Sequence, residues 1–202
     1  MNQTRVFSTR NLVLMGMLGA LSAVLMLFKF PVPFALGFYT IDFSEVPVLI
    51  GAFALSPVAG IIIELIKNLL NLIINGTQTA GVGELANFIS GSILVFTAAT
   101  IYRRKPSRNG AVIGLTVATI VMSIASCFIN YFITLPVYFV AFGMNWDTIM
   151  NMSKAINGSI TNPLTFLVLS VLPFNLLKCG LSSLITLLLY KHVSPILKGS
   201  IR

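Results

Sequence analysis

The chain has 202 residues, of which 56% are hydrophobic and 9% charged, and a formal net charge of +8. Soluble domains carry roughly 25% charged residues, so this composition excludes a soluble globular protein and predicts one membrane-embedded domain over residues 1–202. The positive charge does not point to nucleic acid, because the cations lie between apolar runs and form no patch interleaved with aromatics.

In chain order, "MNQTRVFSTR" leads into an apolar run at 11–28. That run is long enough to span and ends without a clean A-x-A cleavage site, so it predicts a first helix rather than a signal peptide. Residues 29–45, "KFPVPFALGFYTIDFSE", are aromatic and braced by proline, and predict a long loop. Apolar runs at 46–56 and 57–75 follow, divided by "LSPVAG", where Ser56, Pro57 and Gly60 fit either a kink or a hairpin.

Charge parity favours the hairpin. With six crossings and a cytoplasmic N-terminus, Arg5, Arg10, Arg103, Arg104, Lys105, Arg108, Lys191, Lys198 and Arg202 share one side, leaving Lys29 and Lys154 outside. Five crossings would export "RRKPSR", against the positive-inside rule. Further spans are predicted at 83–102, 110–141 and 161–190, joined by the short polar "NGTQTAG" and by a partly helical surface loop at 143–162. The expected fold class is an all-α membrane protein, a six-transmembrane-helix bundle with a long outer loop between helices 1 and 2. It is expected to be multi-pass in the cell membrane, surrounded by lipid, with both termini cytoplasmic.

Charged side chains at the centre of a span cost about 2.5–3.5 kcal/mol on insertion scales, so each invites a functional reading. Glu64, Lys67, Asn68 and Asn71 lie on the third run, and Glu64 and Lys67, one turn apart, can pair. A structural ion pair and a ligand role are equally open there. "TAGVGELANFISG" opens the fourth span with Gly81 and Gly83, whose missing side chains admit close approach, then sets Glu84 and Asn87 on one face. Glu84 is equally well read as a first-turn carboxylate favoured by the helix N-terminus.

Asn130, Tyr131 and Thr134 precede Pro136, and Asn175 and Lys178 follow Pro173, about 60° apart on a helix. Helix-to-helix hydrogen bonds in membranes average only about 0.6 kcal/mol, which does not justify an unpaired Lys178. A binding role for this face is expected. Cys127 and Cys179 read as small buried residues. Five acids and one histidine, His192 at the cytoplasmic edge, assemble no hydrolase triad, HExxH site or metal trio, and no Walker A sequence occurs. No enzymatic activity, cofactor or metal is expected.

Two carboxamides and one ammonium suit a neutral planar heterocycle with an imide-like edge. Phe30, Phe34, Phe38, Tyr39 and Phe43 supply flat apolar faces, whereas a strongly anionic solute would call for arginine, and none lies in a span.

"LFKFPVPFALGFYTIDFSEVPVLIGAFALSPVAGIIIELIKNLL", "GTQTAGVGELANFISG" and "LPFNLLKCGLSSLITLLLY" together resemble the riboflavin-specific S components of energy-coupling factor vitamin transporters. The resemblance implies six helices and one riboflavin held at the outer side beneath the first loop. It implies contacts from Asn130, Asn175 and Lys178, helped by Tyr39, Thr40 and Phe43 and by Gly81, Gly83 and Glu84. The implied partners are a transmembrane coupling subunit and two ATP-binding-cassette ATPases, with riboflavin as transported ligand. In such proteins helix 1 docks through small residues four apart, here Gly16 and Ala20 or Gly19 and Ala23, although packing inside the bundle explains the same residues. Two alternatives stand beside this reading: an S component for another flat vitamin or nucleobase-like solute, and a structural membrane protein whose polar residues only pack helices.

Overall fold

The structure is a computed structural model that describes residues 7–33, 35–77, 79 and 81–200, without the side chains of 191–200. Arg5, Phe34 and Arg202, and the side chains of Lys191, His192 and Lys198, lie outside the described residues.

Helix α1 (Thr9–Leu27) starts at Ser8, whose hydroxyl accepts from the Asn11 N–H at 3.4 Å. The segment that follows holds a short antiparallel pair, β1 (Phe30–Pro31) and β2 (Thr40–Ile41), with Phe30 opposite Ile41. Helices α2 (Glu45–Ala54) and α3 (Pro57–Asn75) come next. The break between them is chemical: Ser56 accepts from the Ala59 N–H at 2.9 Å, and Pro57 sits at the first helical position, where its missing N–H costs nothing.

The kink-or-hairpin question is answered by side-chain neighbours. A Cβ at Gly60 would meet Ala52, Gly51 lies against Ile63, and Lys67 reaches Glu45 at 2.7 Å. Contacts that move apart symmetrically about Ser56 define an antiparallel hairpin.

Helix α4 (Val82–Arg104) begins at Gly81, and α5 (Arg108–Ile129) begins at Ser107, which caps the Gly110 N–H at 3.1 Å. A π-helical turn, Asn130–Thr134, carries α5 into α6 (Leu135–Phe142). After the amphipathic α7 (Trp146–Ile156), α8 (Pro163–Phe166) passes through a second π turn, Leu167–Val171, into α9 (Leu172–Ser200).

Among the described residues, five helical stretches are long and apolar enough to cross a membrane: Thr9–Leu27, Pro57–Asn75, Val82–Arg104, Arg108–Phe142 and Pro163–Tyr190. The second predicted run forms only the ten-residue α2, about 15 Å long and half a hydrocarbon core. Val46, Val48, Leu49, Ala52 and Phe53 are all buried, and α2 touches α1, α3, α4 and α9. A helix apolar on every side belongs in the middle of a bundle.

Lipid tails are as apolar as leucine, so the bundle gains by close packing rather than by leaving water. Small residues provide it: a Cβ at Gly114 of α5 would stand 2.7 Å from the Ala98 carbonyl oxygen of α4. The Tyr102 and Tyr190 hydroxyls meet at 3.1 Å, which brings the basic end of α4, Arg103 and Arg104, beside α9 and the start of α5. At the other end a second apolar cluster seats Val32, Leu36, Tyr39 and Ile41 of the α1–α2 segment among Ile149, Ile160, Phe166 and Phe174.

Candidate functional site

A cavity of about 190 Å³ opens at the end of the bundle away from the Arg103–Arg108 cluster. Its walls come from Lys29, two residues past α1, from Phe38, Tyr39 and Thr40, from the first turns of α4 (Gly83, Glu84, Asn87 and Ser90), and from α9 (Phe174, Asn175 and Lys178). Helix α5 and its π turn give Met122, Ser126, Asn130 and Thr134. These four stand at intervals of four, so one stripe of a helix faces the cavity.

Asn130 opens the first π turn. Its Nδ2 donates to the Ser126 carbonyl at 2.8 Å, and its Oδ1 accepts from the Tyr39 hydroxyl at 2.6 Å. Burial pushes the Tyr39 phenol up, which keeps it a donor. Asn175 follows the second π turn and donates one N–H to the Val171 carbonyl at 2.8 Å; no side-chain hydrogen bond among the described residues uses its Oδ1. Each π turn lies just ahead of a proline, Pro136 or Pro173, where a backbone donor is missing and the ordinary helical ladder is disturbed.

Lys178 is not unpaired, contrary to the expectation from sequence. Its Nζ lies 3.3 Å from Asp42 Oδ2 and donates to Asn87 Oδ1 at 3.3 Å. Asp42 stands just past β2 and is fixed in turn by the Ser44 N–H at 2.9 Å and by the Ser44 hydroxyl. Burial pushes the Asp42 carboxyl up, but the Lys178 and Lys67 ammoniums and the two Ser44 hydrogen bonds outweigh it and hold the group below the ordinary 3.8.

Behind the cavity the polar chain continues. Asn87 donates to Asn68 Oδ1 at 3.1 Å, and Asn68 donates to Glu64 Oε1 at 2.9 Å. Glu64 and Lys67 pair at 2.6 Å, as their one-turn spacing predicts, and Glu45 joins Lys67 from α2. Glu64 and Lys67 are both fully buried and do not line the cavity, so theirs is a packing role.

Of the residues singled out from sequence, Asn130, Asn175, Lys178, Tyr39, Thr40, Gly83 and Glu84 converge on this cavity, and Phe43 and Gly81 do not line it. Phe43 sets its ring 6.3 Å from that of Phe30, and Gly81 takes a left-handed φ of +82° to cap α4. Sequence reasoning passed over Lys29, Thr79, Ser90, Met122, Ser126, Tyr138 and Phe174. Helical spacing carried the signal for three of them: Ser90 stands three residues past Asn87, and Ser126 and Met122 stand four and eight residues before Asn130.

The two small-residue frames of α1 also separate. Gly19 and Ala23 are buried, and a Cβ at Gly19 would press on Ile66 of α3. Gly16 has open space around it, and Ala20 is exposed.

A multi-pass helical bundle with a polar, aromatic-walled cavity at the end away from its Arg103–Arg108 cluster has the form of a solute-capturing membrane subunit. The model of the family "ECF transporter, substrate-specific component" matches residues 10–190, and the chain belongs to that family. It is 38% identical over 190 residues to riboflavin transporter RibU of Staphylococcus aureus (strain TCH60), covering 94% of this chain and 93% of that protein. It is 33% identical over 187 residues to riboflavin transporter FmnP of Bacillus subtilis (strain 168), covering 92% and 93%. A solved structure, the S component of a bacterial ECF transporter, superposes with a TM-score of 0.72 at 37% identity, over 93% of this chain and 96% of that one.

Proposed function

We propose that this protein is the riboflavin-binding subunit of an ECF-type uptake transporter. It captures the vitamin from outside and passes it on through a transmembrane coupling subunit driven by two ATP-binding-cassette ATPases. The observation that carries this reading is the meeting of Asn130, Asn175 and Lys178 on one cavity, a donor and acceptor set that matches the imide edge of an isoalloxazine. Phe38, Tyr39, Tyr138 and Phe174 offer ring faces around it. The names of the relatives support the same ligand.

Orientation follows from charge. Arg10, Arg103, Arg104, Lys105 and Arg108 stand at helix ends remote from the cavity, and the positive-inside rule makes that end cytoplasmic. The cavity then faces outward and both termini face in. With α2 counted as a crossing, the α2–α3 hairpin brings the total to six. Sites that enclose a drug-sized ligand usually run to about 300–1,000 Å³. The cavity here is about 190 Å³, so riboflavin enters by displacing the α1–α2 segment, which closes over it again. Tyr39, Thr40, Gly83 and Glu84 touch the ligand directly, whereas Phe43 and Gly81 support the walls from behind. Gly16 and Ala20 are the docking frame for the coupling subunit, because Gly19 packs against α3 and Ala23 is buried. ATP hydrolysis belongs to the partners, and this subunit alone binds without accumulating.

Titration of the purified protein with riboflavin, followed by quenching of flavin fluorescence, tests the proposal. Saturable quenching at one site is the expected result, and folded protein that leaves the fluorescence unchanged rejects it.

A further inference from the structure

The side chains that line the cavity include two cations, Lys29 and Lys178, and one acid, Glu84. Counted alone, they favour an anion. Asp42 does not line the cavity, but it stands directly behind Lys178, 3.3 Å from its ammonium, and both residues are almost fully buried. Two hydrogen bonds from Ser44 fix the carboxylate, so it cannot swing away. The second ammonium contact goes to Asn87 Oδ1 at 3.3 Å. An ammonium has three N–H donors, which leaves one for the cavity, on a group whose charge is already compensated.

We propose that Asp42 determines the charge specificity of the site: by cancelling Lys178 from behind, it makes the cavity select an uncharged ring edge and reject the corresponding anion. Coulomb energies in a buried site are several-fold larger than in water, so one compensating carboxylate at this distance decides between neutral and anionic forms. Specificity built by withholding a charge is as effective as specificity built by adding a contact. Asp42 is a positioning residue here, acting through Lys178. The inference rests on the riboflavin reading above.

Riboflavin itself supplies the probe, because its imide N–H ionises in alkaline solution and the absorption spectrum reports the change. The experiment records the pH at which flavin ionises when bound to the full-length protein, for wild type, Asp42→Asn and Asp42→Glu. Wild type and Asp42→Glu are expected to hold the flavin neutral to a higher pH than free flavin shows. In Asp42→Asn the bound flavin is expected to ionise at least one pH unit lower than in wild type, a tenfold change in preference. Ionisation at the wild-type pH in folded, flavin-binding Asp42→Asn overturns the inference.

Should Asp42→Asn fail to fold, Ser44→Ala keeps both charges and removes the hydroxyl that fixes the Asp42 carboxylate beside Lys178. A fall in the pH of flavin ionisation supports the inference, because a loosened carboxylate compensates the ammonium less. Ionisation at the wild-type pH overturns it. Folded wild-type protein that binds no riboflavin is a different result and rejects the ligand assignment itself.

Discussion

The Tyr39 hydroxyl donates to Asn130 Oδ1 at 2.6 Å, joining two residues ninety-one positions apart. It ties the segment between α1 and α2 to the π turn of α5, so one polar contact holds the cover of the cavity to its wall. The Tyr39 ring also packs 4.9 Å from that of Phe174. Tyr39→Phe keeps the ring and removes the donor, leaving a buried carbonyl without its partner at about 1–3 kcal/mol. Riboflavin affinity should fall by about tenfold or more, chiefly through faster dissociation, as stopped-flow fluorescence will show.

Asn175 and Asn71 are both buried asparagines in helices, but only Asn175 faces the cavity. Asn71 instead accepts from Asn75 one turn on. Asn175→Ala should weaken riboflavin binding by about tenfold or more, the scale of one lost buried hydrogen-bonding group. Asn71→Ala should leave affinity nearly unchanged, and equal losses in fluorescence titration would displace the site.

Lys67 carries two carboxylates, Glu45 at 2.7 Å and Glu64 at 2.6 Å, with no exposure of its own. Lys67→Met would leave both acids buried without a cation, a loss on the order of 3–5 kcal/mol. A large drop in the melting temperature of detergent-solubilised protein is expected. Gly91→Ala attacks the same group from α4, since a Cβ there overlaps the Glu64 carboxylate, and should cost about 1–3 kcal/mol.

Helix α1 offers two frames with opposite outcomes. Gly16→Leu enters open space, so folding and riboflavin binding should persist while co-purification with the coupling subunit is lost. Gly19→Leu drives a side chain into Ile66 and should lower thermal stability before any partner is present.

The Asp42 carboxyl is held below its ordinary 3.8 in the folded protein. A depressed carboxylate stabilises the fold in full above the unfolded value and loses that contribution as pH falls through the folded one. Melting temperature should therefore decline below about pH 4 in wild type, and Asp42→Asn should lose the part of that decline that comes from this group. Identical profiles would show that the pair contributes nothing.

Much of this was legible in the sequence because the signals were local. Ser56 and Pro57 mark the turn between α2 and α3, and the interrupted polar faces at Asn130 and Lys178 mark the cavity. Asp42 was not legible as the partner of Lys178, since nothing local joins a loop carboxylate to an ammonium 136 positions later in the chain. Glu45 was nearer to hand. Once a hairpin turns at Ser56, antiparallel pairing brings residue 45 beside residue 67, and a lysine there needs more than Glu64 alone. The short length of α2 was legible as well, since the apolar run at 46–56 holds only eleven residues, but charge parity counts a crossing by the side on which cations fall and says nothing of how much of it is helical.

The Glu45–Lys67 pair has a consequence for biogenesis. Ten residues led by a carboxylate are too few to partition from the translocon unaided, since a full crossing takes about 20 helical residues. Its cation is synthesised 22 positions later. The short helix therefore has its charge neutralised and its apolar surface covered only once α3 lies beside it, so a single ion pair makes the two helices one insertion unit.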